Sequence, residues 1–118
     1  KLEIKNKKLK IENTLTNYKV VNTNKSISSI LFNPQTGKTH QLRIVSKNLG
    51  CPIVGDNKYN IHSKYKKESL MLHAFALKFT INSRKFEFIS MLPNYFLNFI
   101  KKNNLKIHRD LKKYLNTF

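Results

Sequence analysis

The chain has 118 residues, with 23 Lys+Arg against 6 Asp+Glu for a formal net charge of +17, and 40% of its residues are hydrophobic. That length is one ordinary domain, that apolar content builds a core rather than a disordered coil, and that charge favours a polyanionic partner, most often nucleic acid. No apolar run nears the roughly 18 residues of a membrane span, the single Cys51 excludes an internal disulfide framework, and Lys1–Lys5 lacks the apolar core of a signal peptide.

Residues 1–13 carry Lys5, Lys7, Lys8 and Lys10 among sparse apolar positions and read as a basic arm or an edge strand. Two strand-like runs follow, 14–22 and 26–32, with Thr23-Asn24-Lys25 as the turn of an antiparallel hairpin. Asn33-Pro34-Gln35-Thr36-Gly37 breaks the second strand, and a helix is expected over about 38–49. Leu42, Val45 and Leu49 form its apolar stripe, Gly50 takes the C′ position, and Pro52 stops continuation. The opposite face then presents His40, Arg43 and Lys47 together.

Residues 51–59 read as a loop with a Gly55-Asp56 turn, and 60–67 as a polar, basic connection. Leu70–Thr80 is apolar in both phases, which predicts a central strand, and Asn82-Ser83 turns it into a partner strand over 85–92. After Pro93, the spacing of Tyr95, Phe96, Phe99 and Ile100 predicts an amphipathic helix, with a basic helical tail over 101–118. No repeat or linker divides the chain. The expected fold is α+β, a mostly antiparallel mixed sheet with flanking helices.

The charge admits two readings. Lys that neutralises phosphates releases counterions and binds nucleic acid, whereas 20 Lys against 3 Arg in an Asn- and Ile-rich chain also fits coding bias. An anionic membrane surface is the lesser alternative, since no long basic amphipathic helix is present. A single cysteine fits a reducing, cytoplasmic setting, and an opening on Lys1 rather than Met fits a fragment or processed product.

Several short matches carry no chemistry. Gly37-Lys38-Thr39 resembles the end of a phosphate-binding loop, but Phe32 stands where its first glycine belongs. His108-Arg109-Asp110-Leu111-Lys112 resembles a kinase catalytic loop, but Leu115 replaces the metal-binding Asn. His40, His62, His73 and His108 are scattered with Cys51, so no metal site is expected. Cys51 reads as a small buried or half-buried thiol and His73 as a hydrogen-bonded core histidine. What remains is the strand-turn-helix over 34–44, where backbone N–H groups and side-chain cations could meet an anion; spacing alone slightly favours an ordinary strand-turn-helix with a solvated basic face.

That stretch also carries a resemblance. Gln35-Thr36-Gly37-Lys38-Thr39-His40-Gln41-Leu42-Arg43-Ile44, then Gly50-Cys51-Pro52-Ile53-Val54-Gly55-Asp56 and Tyr59, resembles the C-terminal motif of the large-subunit ribosomal RNA pseudouridine synthase family. Leu72-His73-Ala74 and the Phe86–Pro93 run resemble the family's next landmarks in order, so the likeness covers roughly 14–100. Lys38 stands for the family's usual Arg, Ser46 for a common His, and Cys51 for a frequent His. Lys keeps the charge but loses the planar fork that binds phosphate bidentately.

The resemblance implies the C-terminal half of a pseudouridine-synthase-like catalytic domain that isomerises uridine in RNA, with large-subunit ribosomal RNA as the expected substrate and without metal or organic cofactor. In the family a flipped uridine meets a catalytic aspartate in a His-Arg-Leu-Asp segment, followed by a stacking tyrosine; neither segment precedes residue 14 here. By resemblance Arg43 is the cation that keeps such an aspartate ionised, with Leu42 and Ile44 as pocket wall. Lys38, His40, Gln41 and Lys47 are the expected RNA contacts. By itself the chain is expected to be inactive, and a non-catalytic RNA-binding module or a basic ribosome-associated protein is the alternative.

Overall fold

The computed structural model describes residues 13–61 and 63–118. The basic arm expected at 1–13 lies almost wholly outside them, as does His62. Chain order is β1 (Thr16–Asn24), β2 (Ile27–Pro34), α1 (Gln41–Asn48), β3 (Ala76–Ile81), β4 (Arg84–Ile89), α2 (Asn94–Lys102) and a short 3-10 turn (Leu111–Tyr114). The class is α+β. The strands form two separate antiparallel hairpins, β1–β2 and β3–β4, rather than one mixed sheet.

The first hairpin closes two residues later than the turn residues suggested. Asn24 pairs with Ile27, and Lys25 takes the turn at φ 54°, while a register shift between Val20 and Asn22 re-aims the strand. Asn22 and Asn24 then reach the other end of the chain. Asn24 Nδ2 donates to the Asn103 carbonyl at 2.7 Å, and the Lys106 N–H donates to Asn22 Oδ1 at 2.8 Å.

Helix α1 is shorter than the periodicity predicted, beginning at Gln41 because His40 adopts a left-handed conformation, φ 54° and ψ 24°. Its C-terminus is as expected. Gly50, at φ 83°, donates to the Lys47 carbonyl and Cys51 to that of Ser46, the paired bonds of a Schellman motif. The buried residues of α1 are polar, Gln41 and Ser46, whereas Leu49 of the supposed apolar stripe is exposed.

Leu70–Phe75 is not strand, and β3 pairs with β4 alone, so the central strand expected at 70–80 is instead an exposed hairpin arm. Helix α2 follows Pro93 as predicted and buries Phe99 and Ile100. These join Ile27 and Leu105 in a small core to which Val54, Tyr65, Met71, Leu92, Phe96 and Ile107 are appended. The tail does not continue as a helix. Asn104 turns left-handed at φ 56°, its N–H and that of Leu105 bond back to Lys101 and Ile100, and the burial of Leu105 locks that exit.

Candidate functional site

Asp56 organises the loop after α1. It is 1% exposed. Its Oδ1 accepts from the backbone N–H groups of Lys58 and Tyr59, both at 3.0 Å, which folds 56–59 into a tight turn. Gly55 before it sits at φ 82°, and a side chain there would collide with the Ser69 carbonyl, so the turn accepts only glycine.

Arg43 projects from α1 onto this carboxylate. Nε donates to Oδ2 at 2.9 Å and Nη2 to Oδ1 at 2.7 Å, a bidentate fork. Its guanidinium lies 5.2 Å from the Tyr59 ring centroid, and the Tyr59 hydroxyl lies 3.2 Å from His40 Nδ1. His40 and Tyr59 also meet edge to face, which holds the left-handed residue at the head of the helix. Four residues from two sequence segments thus make one cluster.

The electrostatics follow from that fork. The Arg43 guanidinium, with help from the Tyr59 and Lys58 amides, holds the Asp56 carboxyl well below the usual carboxylate range despite burial that opposes ionisation. Hydrogen bonding to Asp56 likewise raises Arg43. Among the described residues, Nη1 of Arg43 makes no hydrogen bond, and the side chain retains 17% exposure. One charge-bearing edge stays open to a second anion.

The other expected site residues have varied positions. Arg43 is not on an exposed stripe with His40 and Lys47: it is turned inward to Asp56, and His40 lies outside the helical register. Gln41 is 7% exposed and clamps the interior. Its Oε1 accepts from the Thr36 hydroxyl and the Lys38 N–H, and its Nε2 donates to the Leu15 carbonyl and the Thr16 hydroxyl. All four of these bonds are internal to the chain, and the last two tie the head of α1 to the start of β1. Lys38 and Ile44 line an open cleft of about 430 Å³ on this side of α1, while Leu42 is half-buried and does not line it. Lys47 is exposed in the last helical turn, a position the helix dipole favours.

Cys51 is exposed rather than buried, because it follows the Schellman glycine onto the surface. His73 Nε2 is buried without a hydrogen-bond partner among the described residues, so it is not the fully satisfied core histidine expected. Asp56 was legible as a turn residue and as part of the resembling motif, but not as the partner of Arg43. The signal that could have found it is a carboxylate directly after a turn glycine, in a chain with only six acidic residues.

Comparison with known proteins gives one consistent result. The chain is 36% identical over 99 residues to the ribosomal large subunit pseudouridine synthase D of Borreliella burgdorferi, covering 79% of this chain and 30% of that protein. It is 39% identical over 90 residues to the ribosomal large subunit pseudouridine synthase C of Rickettsia prowazekii, 70% of this chain and 28% of that one. This chain belongs to the ribosomal large-subunit pseudouridine synthase family. An RNA pseudouridine synthase of Zymomonas mobilis is 42% identical over 65 residues, 54% of this chain and 30% of its own length. The chain spans about 30% of the length of the curated relatives it matches. No protein-family model matches it. No solved structure matches it either. No helix among the described residues is long and apolar enough to cross a membrane.

Proposed function

We propose that this chain is the C-terminal part of a catalytic domain that converts uridine to pseudouridine in RNA, with large-subunit ribosomal RNA as substrate. The names of its relatives support the reaction class. The observation that carries the reading to particular residues is Arg43, anchored by buried Asp56 through two of its nitrogens and open through the third. An anchored guanidinium with one free edge suits the task of holding a second carboxylate ionised in an enclosed pocket.

In this reading the catalytic aspartate comes from a His-Arg-Leu-Asp segment outside this sequence, and the 118 residues alone form no product. Arg43 holds that aspartate charged while it acts on the flipped nucleotide, with Leu42 and Ile44 as apolar wall. Lys38, His40 and Lys47 contact RNA phosphates, and no metal or organic cofactor takes part. The setting is the cytoplasm.

The test is covalent replacement. The matched stretch of the Borreliella burgdorferi relative is exchanged for this chain, and the chimera is assayed for pseudouridine in large-subunit ribosomal RNA. Product that disappears with Arg43→Ala supports the proposal. RNA binding without product in a folded chimera favours a non-catalytic binding module instead.

A further inference from the structure

The β3–β4 hairpin presents its apolar side outward. Strand alternation and the pairings Leu77 with Phe88 and Phe79 with Phe86 place these four side chains and Ile81 on one face, with Arg84 at its end. Leu77 is 60% exposed, Ile81 53% and Phe88 56%. The opposite face carries Lys78, Thr80, Lys85 and Glu87, which are also exposed. Such a ladder normally turns its apolar side to a core and its charged side to water. Among the described residues only Ile27, Phe99, Ile100 and Leu105 are buried hydrophobics, so the core within this chain is far too small to claim that face.

We propose that this face docks the polypeptide that makes up the rest of a synthase catalytic domain, the portion carrying the aspartate segment. The inference rests on the proposed function. The chemistry of the surface selects a protein occupant. Leu77 and Ile81 offer nothing for a base to stack on, and Phe79 already stacks on Phe86 and Phe88, at 5.1 Å and 5.9 Å between centroids. Arg84 is the lone cation of the face and sits over Phe86. Relatives that this chain spans for about 30% of their length carry the polypeptide to fill it.

The experiment co-expresses the intact 118-residue chain with the portion of the Borreliella burgdorferi relative that precedes the matched stretch. Light scattering reads stoichiometry, and amide hydrogen exchange reads protection over 76–89. A complex of one copy of each is expected, with slowed exchange in both strands. Leu77→Asp and Phe88→Asp weaken it roughly tenfold or more, while Lys85→Glu on the opposite face leaves it within about twofold. Both apolar residues are exposed in this chain, and unchanged exchange in α2 verifies that the variants fold. Absence of a complex overturns the proposal. Protection of the same amides by a second copy of the chain, or by a single-stranded oligouridylate, overturns it too. Pseudouridine assayed in the same mixture separates the two readings: a face-dependent complex without product supports docking and counts against the activity, whereas product undiminished by Leu77→Asp overturns docking alone.

Discussion

Arg43 and Asp56 meet through two hydrogen bonds of 2.9 and 2.7 Å, with the carboxylate buried and the Arg43 side chain partly exposed. The asymmetry decides what each residue does. Asp56 is fully engaged, by the fork and by two backbone amides, and serves as the anchor. Arg43 is held in place with donor capacity to spare.

Asp56→Ala removes the anchor and both turn bonds, and is expected to destabilise the chain by about 2 kcal/mol. Asp56→Asn retains an acceptor for the turn and loses charge, so it costs less. Chemical denaturation of the two variants checks the order, and equal stability of wild type and Asp56→Ala contradicts it.

The pH dependence has a fixed sign. Folding lowers the Asp56 pKa, so the stability it contributes is present above the unfolded carboxylate value and is lost as pH falls below about 4. Stability measured from neutral to acid pH falls more steeply for the wild type than for Asp56→Asn. Parallel curves would show that the pair is not formed in solution.

Gln41→Leu keeps approximate volume and strands the Thr36 hydroxyl, the Lys38 N–H and the Thr16 hydroxyl, at an expected cost of about 2–3 kcal/mol. Were Gln41 instead an RNA contact, the loss would fall on RNA affinity with stability intact. A melting curve beside a salt-titrated binding isotherm separates the two.

Gly55→Ala places a methyl against the Ser69 carbonyl at a positive φ, and the chain must shift to accommodate it. The expected result is a lower thermal midpoint together with faster exchange of the Tyr59 amide, whose acceptor moves with the turn. A variant as stable as wild type, with unchanged exchange there, refutes the packing described.

Local signals in the sequence were reliable where the physics is local. Gly50 ended α1, Pro93 preceded α2, and the first hairpin formed, because each depends on backbone preferences within a few residues. The left-handed His40 escaped, since its conformation is held by Tyr59, nineteen residues away. Periodicity placed apolar residues on the buried side of α1, yet Gln41 took that side by bonding to Leu15 and Thr16. Leu70–Thr80 read as a buried strand because its apolar pattern is that of a covered one, and in this chain the face is bare. Arg43 was found through its motif. Asp56 stands in the same motif, but its pairing with Arg43 was not legible, because a contact across thirteen residues leaves no periodic trace.

The role of Arg43 is read from pseudouridine formed by the covalent chimera, with and without Arg43→Ala and beside Asp56→Asn. Product is expected from the parent chimera, with a loss of at least about a hundredfold for Arg43→Ala in a folded protein. Asp56→Asn, which loosens the guanidinium without removing it, falls between them. Near-normal turnover by a folded Arg43→Ala chimera would show that Arg43 is not the cation of the active site.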